Sequence, residues 1–448
     1  MNDVRPHAPG YIRWVTKTLE EGGFETWAVG GAVRNAYLGL PSGDWDMATR
    51  ASPEVVRRLF PRTVPIGIEH GTVGVLTRDG TLVEVTTFRR DVETTGRHAV
   101  VEFAETLEED LARRDFTVNA IAWHPIRETF QDPFGGRADL SARLLRTVGV
   151  PEERFSEDFL RVLRALRFSG RFRLRIQAET WKALCDSTDR LSVLSPERVR
   201  EELSKVLAED LRPSGSLALY SASGVLEALF PELAVLGDHP RPGGADDLWT
   251  HSVLLADLLP SGKPLLRLAA LLHGIGVPSG AEPEPRDPDA RGRDRVVALM
   301  LRLRHSNAET AFVARLVGMG LEPPVGLSSP ADLRQWLHRA GPERLSDFSR
   351  IWVAKARLDQ IRRGTDPGGV VEVIARLRAQ RRLRPPLRLE DLAVSGRDLI
   401  RLGMKPGPRF GEILETLMGR VLDDPELNQP DRLLAMVKEE WDGPGGMK

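Results

Sequence analysis

Cysteine is almost missing from this 448-residue chain: Cys185 stands alone. That excludes an internal disulfide and a thiolate-rich zinc site, and it fits a reducing compartment. Long hydrophobic runs are missing too. No stretch approaches the roughly 20 apolar residues that span a bilayer, and the segment beginning Met1-Asn2-Asp3-Val4-Arg5-Pro6 has no apolar core of signal-peptide length. The expectation is a soluble, untargeted, cytoplasmic protein with no membrane partner. No charge of one sign dominates, since 63 Lys and Arg face 64 Asp and Glu for a net charge of −1. A nucleic-acid partner would therefore have to be met by a local basic patch. There is no internal repeat and no long low-complexity tract.

What is present is enough apolar residue, 41%, for several compact domains. Residues 11 to 22 read as an amphipathic helix, followed by the short apolar strand Thr26-Trp27-Ala28-Val29, the pair Gly30-Gly31 and a second helical stretch. Val73 to Thr77 and Thr81 to Phe88 alternate as strands around Asp79-Gly80, a hairpin signature. The first ~145 residues are thus expected to be mixed α and β, and the remainder, from about residue 153, helical. Residues 237 to 244 and 278 to 293 are rich in Pro, Gly and charge and read as loops.

The chemistry is concentrated around Asp44-Trp45-Asp46, ten residues after Gly30-Gly31-Ala32-Val33-Arg34. In a strand, residues i and i+2 share a face, so Asp44 and Asp46 would present paired carboxylates. Such a pair suits a hard divalent ion such as Mg²⁺, which takes carboxylate oxygens and bridges phosphates. Glu84, on the neighbouring strand, is a candidate third catalytic carboxylate. Gly30 and Gly31 permit close backbone approach to a triphosphate, whose charge Arg34 and a helix N-terminus would stabilise.

Four further segments accompany these: Arg113-Arg114-Asp115-Phe116-Thr117-Val118-Asn119-Ala120, Asp132-Pro133-Phe134-Gly135-Gly136, Glu157 to Phe168, and Ser195 to Leu203. In that order the segments resemble the motifs of the class II tRNA nucleotidyltransferases, the CCA-adding enzymes, and their relatives the bacterial poly(A) polymerases. Asp391 to Leu399 and Gly403 to Pro408 resemble the C-terminal signature of the same family. The resemblance implies an α+β protein: a mixed-sheet, polymerase-β-like catalytic head over residues 1–147, then a helical neck (148–215), body (216–330) and tRNA-binding tail (331–448).

It also implies roles. Asp44 and Asp46 would bind two Mg²⁺ ions for in-line attack of the tRNA 3′-hydroxyl on the α-phosphate of CTP or ATP. Arg113, Arg114, Asp115 and Asn119 would hold sugar and triphosphate. Asp158 and Arg161, three apart on a helix, would face the Watson–Crick edge of the incoming base, with Arg164 and Arg167 nearby. Six arginines and no acid between Arg161 and Arg175 exceed what a solvated helix face needs. Lys355 to Arg388 carries ten basic and three acidic residues, a surplus of seven, suited to the phosphates of the tRNA acceptor and TΨC arms.

Three features depart from the family pattern. Asn35 stands where the first motif usually ends in Asp. Asp91 to Val100 is shorter than the family's charged loop that helps switch addition from C to A, which raises CC addition alone as an alternative to CCA addition, with A-only and poly(A) addition behind them. Third, His251 and Leu271-Leu272-His273-Gly274 resemble an HD phosphohydrolase domain in which Gly274 replaces the metal-binding Asp, so a degenerate helical scaffold is expected there. A chain ending in Glu439-Glu440-Trp441-Asp442 rather than a basic extension disfavours poly(A) polymerase, and intact Asp44, Asp46 and Arg114 disfavour an inert RNA-binding module.

Overall fold

The computed structural model describes residues 6–95, 98–240, 247–277 and 288–441, which fall into two compact units, Met1–Ala234 and Val235–Lys448. The first opens with α1 (Gly10–Glu21), whose Ile12, Val15, Thr16 and Leu19 recur at helical spacing and are buried. Strand β1 (Thr26–Val29) has all four residues buried, as a central strand covered on both faces must.

Around β1 a seven-stranded mixed sheet forms from β2 (Asp46–Thr49), β3 (Thr63–Pro65), β4 (Thr72–Leu76), β5 (Leu82–Thr87), β8 (Ala122–Trp123) and β9 (Phe130–Gln131), in the order β3-β4-β5-β2-β1-β8-β9. β2 runs antiparallel to β1, pairing Val29 with Asp46, and parallel to β5, pairing Asp46 with Glu84. The hairpin expected around Asp79-Gly80 is β4–β5. Two further strands, β6 (Arg89–Thr95) and β7 (His98–Phe103), form a separate antiparallel hairpin on the stretch read as a shortened loop. Trp27, Val29, Ala48, Phe88, Leu107, Leu111 and Ala122 make the core beneath the sheet.

Helices carry the rest of this unit: α2 (Gly31–Tyr37), α3 (Pro53–Leu59), α4 (Leu107–Ala112), α5 (Gly136–Ala142), α6 (Pro151–Glu157), α7 (Leu160–Phe172), α8 (Ala178–Asp186) and α9 (Pro196–Glu209). The Asp132 to Gly136 motif is structural in this chain: Asp132 accepts from the backbone N–H of Gly136 (2.7 Å) and Arg137 (2.9 Å) and so starts α5.

The second unit is helical among its described residues, with a core in which the Trp336 ring lies 5.3 Å from Phe348 and 5.2 Å from Trp352. The loop expected at 278–293 is corrected in part. Residues 278–287 lie outside the described residues, but Pro288–Arg302 is a helix, started by a proline that the composition-based reading took for a breaker. His251 and His273 meet edge to face with ring centroids 5.4 Å apart, and His273 Nδ1 lies 2.7 Å from the Ala270 carbonyl. The basic stretch 355–388 divides. Lys355 is buried against Glu322 (2.5 Å); Arg381 and Arg388 are exposed and bond to Pro342 O (3.0 Å) and Glu343 (2.8 Å), and Arg357, Arg378, Arg382 and Arg384 are exposed as well.

Candidate active site

The site begins where β1 ends. Gly30 has φ +72°, a conformation that L side chains avoid, and a Cβ there would stand 2.9 Å from Arg114 Nη1 and 3.8 Å from Asp46 Oδ2. Glycine is therefore needed twice, for the turn into α2 and for the space the guanidinium occupies. Gly30→Ala is expected to cost about 1–3 kcal/mol of unfolding free energy through this strain, read as a lower urea midpoint. An unchanged midpoint would show that the turn relaxes freely.

Asp46 opens β2, but Asp44 precedes the strand, so the two do not share a strand face as expected. The alternation survives one step before the ladder: Asp44 is exposed, Trp45 is buried at 4% exposure against Trp123, and Asp46 faces out again. The Asp46 carboxyl is pushed up to about 6, first by partial desolvation and then by the charge of Glu84, with Arg114 opposing and Asp44 adding to the rise. A carboxylate held beside like charges is one that a cation would relieve. Among the described residues, no three His, Cys, Asp or Glu side chains converge as a ready metal cage. The donor set fits instead an ion held by one or two carboxylates, with substrate phosphates completing the shell, the usual habit of Mg²⁺.

A cavity of about 450 Å³ lies over these residues, lined by Gly30, Gly31, Arg34, Asp46, Arg113, Arg114, Asp115, Asn119, Asp158, Leu160, Arg161, Arg164, Phe168 and Arg198. Six arginines face three carboxylates, a balance suited to a polyanion. Asp44, Glu84 and Arg167, also expected at the site, are not among the lining residues. Arg167 is corrected to a structural part: it is 5% exposed and donates through Nε to Glu202, 1% exposed, at 2.7 Å.

Each arginine is held by a partner. Asp110, 1% exposed within α4, receives Arg113 (2.9 Å) and Arg114 (3.1 Å), both of which line the cavity. It was not singled out in the sequence, although its i, i+3 and i, i+4 spacing to the two arginines was the available signal. Asp115 accepts from Phe116 N (2.9 Å), Asn119 Nδ2 (2.8 Å) and Arg164 Nε (2.8 Å). Burial pushes its carboxyl up, but Arg164, Asn119 and the Phe116 amide outweigh that and hold it at about 2. Asn119 Oδ1 in turn accepts from Arg34, whose guanidinium lies 4.3 Å from the Phe172 ring centre. Burial, reinforced by Arg171, Arg167 and Arg164 and opposed by Asp115, lowers Arg34 to about 9. Asn35 Oδ1 accepts from Arg34 Nε (3.2 Å) and Nη2 (3.0 Å), so the residue expected to have lost an interaction keeps one, through a neutral acceptor.

Asp158 and Arg161 do not share a helix. Asp158 sits in the break between α6 and α7, with extended backbone, and its Oδ1 accepts from Leu160 N at 3.0 Å. Its Oδ2 accepts from Arg198 Nη2 at 2.6 Å. Arg161 donates through Nη1 to Glu157 and to Arg154 O (2.9 Å), and through Nη2 to Arg113 O (3.3 Å). Its Nε–H and second Nη2–H have no partner among the described residues.

Comparison with known proteins finds two family profiles, the poly(A) polymerase head domain over residues 26–146 and a probable RNA- and SrmB-binding site of polymerase A over residues 173–236. The CCA-adding enzyme of Levilactobacillus brevis is 32% identical over 437 residues, covering 95% of this chain and 97% of that protein. That of Geobacillus thermodenitrificans is 42% identical over 233 residues, a match that spans little more than half of either chain, 52% of this one and 57% of the relative. Among solved structures, the Bacillus stearothermophilus CCA-adding enzyme in complex with CTP superposes with a TM-score of 0.70 at 30% identity, covering 96% of each chain.

Proposed function

The chain belongs to the family of the CCA-adding enzymes, and from that premise we propose that it adds C and A nucleotides to the 3′ end of tRNA, drawing on CTP and ATP. The observation that carries this reading is the convergence, in one cavity, of Asp46, the arginine rim and the pair Asp158 and Arg161. Asp44 and Asp46 would hold two Mg²⁺ ions, with Glu84 reinforcing the negative field on Asp46. When bound, such ions favour the ionised 3′-hydroxyl and neutralise charge on the leaving pyrophosphate. Arg113 and Arg114, fixed by Asp110, and Arg34, fixed by Asn119, receive the triphosphate. Asp115 and Arg164 set the wall beneath the sugar and base. We assign catalysis to residues 1–147, nucleotide choice to 148–215, a helical body to 216–330 and tRNA binding to 331–448. Among the described residues no helix is long and apolar enough to cross a membrane, and we place the reaction in the cytoplasm.

The base is read by complementarity. The open edge of Arg161 carries two parallel N–H donors, which match the adjacent N3 and O2 acceptors of cytosine and donate once to N1 of adenine. Asp158 accepts from the exocyclic amino group that both bases carry. Uracil and guanine would turn a carbonyl oxygen toward the Asp158 carboxylate, leaving acceptor against acceptor. Asp158→Ala and Arg161→Ala are therefore expected to lose about tenfold or more in discrimination of CTP against UTP while retaining transfer. Single-nucleotide incorporation kinetics measure this, and unchanged discrimination in both variants would remove the base-reading role.

CC addition alone is the second reading, favoured by the shortness in the sequence of the Asp91 to Val100 segment, whose described residues fall within β6 and β7, paired from Arg89↔Phe103 to Thr95↔His98. Incorporation of labelled nucleotide into tRNA lacking its 3′ end, and its loss on chelation with EDTA, tests the class of reaction common to both.

A further inference from the structure

Asp158, in the break before α7, and Arg161, in the first turn of α7, are oppositely charged and line the same cavity, so their side chains could turn to each other. Pairing would close the site, because each group would satisfy the other and leave nothing for a base. The structure avoids this by crossing the partners: Arg161 goes to Glu157, and Asp158 goes to Arg198 at 2.6 Å. Arg198 lies in the first turn of α9, where the helix field disfavours a cation. Glu197 in the same turn complements the helix field, and Asp158 is the one acid bonded to the Arg198 guanidinium among the described residues.

Asp158 needs such an anchor. It lies in extended backbone between two helices, so no helical rotamer restricts it, and it exerts a charge on Arg164 as well. Without Arg198 the carboxylate is held only through Oδ1 by the Leu160 amide, which leaves Oδ2 to turn to Arg161 or Arg164.

We propose that Arg198 is a specificity-positioning residue: by holding Asp158 Oδ2 it keeps the carboxylate apart from Arg161 and oriented so that a remaining lone pair meets the amino group of C or A. Each carboxylate oxygen has two lone pairs, so the bonds from Leu160 N and Arg198 leave acceptor capacity for the base. This inference rests on the base-reading role of Asp158, and its test separates the two.

Four proteins are compared, wild type, Arg198→Ala, Asp158→Ala and the double variant, each measured for CTP over UTP discrimination on tRNA lacking CCA and for tRNA affinity. The expected result is at least a tenfold fall in discrimination for Arg198→Ala at unchanged tRNA affinity, and no further fall when the same substitution is made on Asp158→Ala. A purely structural Arg198 would instead weaken CTP and UTP use equally and add to the Asp158→Ala defect, and that result overturns the proposal. Normal discrimination in Asp158→Ala itself overturns the base-reading role and the proposal with it. Arg198→Lys, which keeps the charge but loses the planar fork, is expected to fall between wild type and Arg198→Ala. It serves if the alanine variant does not fold, and wild-type discrimination in the lysine variant would then contradict the proposal.

Discussion

Asp46→Ala is expected to reduce nucleotide transfer at least about a thousandfold, roughly 4 kcal/mol of transition-state stabilisation, with tRNA affinity changed little. Of the pair, Asp46 lines the cavity, beside Gly30 and Arg114, whereas Asp44 is not among the lining residues. Asp44→Ala should follow in direction. The pH behaviour of Asp46 gives an independent handle. Its folded-state carboxyl rises from 3.8 to about 6, so folding takes up a proton between these values, and the group's contribution to stability falls as pH rises through that window. Above pH 6 the metal-free protein carries a disfavoured charge. Asp46→Asn should therefore melt higher than wild type at neutral pH without divalent ions. In wild type, Mg²⁺ affinity should weaken below pH 6, where binding must displace the proton. A lower melting temperature for the Asn variant would contradict this electrostatic picture, and retained turnover in Asp46→Ala would contradict the assignment of the site.

The second large effect is at Asp115. The residue is 8% exposed, its carboxylate joins Phe116 N, Asn119 and Arg164, and through Asn119 it steadies Arg34. Asp115→Ala removes the carboxylate bonded to Arg164 and leaves that cation only the more distant charges of Glu202 and Asp158, and it is expected to cost about 3–5 kcal/mol of unfolding free energy together with most of the activity. Because its folded-state pKa is depressed to about 2, the stability it supplies is present above the ordinary carboxylate range and is lost as pH falls toward 2. Urea unfolding of Asp115→Ala, Arg164→Ala and the double variant measures the coupling, which should be strongly non-additive. A cost below about 1 kcal/mol for Asp115→Ala would mean that solvent replaces these partners.

Local rules carried far into the fold. Thr26 to Val29 was readable as a buried strand because four apolar or β-favouring residues meet a glycine pair, and the β4–β5 hairpin was readable from its alternation around Asp79-Gly80. The helix at Pro288–Arg302 was not, since a charged, proline-led stretch looks like a loop until the proline is seen as a first-turn residue. In the site, residue types were legible but their partners were not. Spacing alone put Asp158 and Arg161 on one helix face, whereas the chain breaks at Asp158 and the acid turns to Arg198, forty residues on. Arg167 and Arg164 look alike in sequence; one is buried against Glu202 and the other lines the cavity, a distinction made by the packing of α9 on α7. Asp110 was passed over because an acid in a helix reads as a solvated face until its burial is known.

The most direct test supplies the purified protein and Mg²⁺ with tRNA transcripts ending before CCA, after C and after CC, with CTP, ATP or both, and sizes the products on a sequencing gel. The account predicts extension of all three to a completed CCA end and a stop there. Extension that halts at CC would contradict A addition and leave the CC-adding reading, and a template-free run of A, or no extension at all, would contradict the proposed function itself.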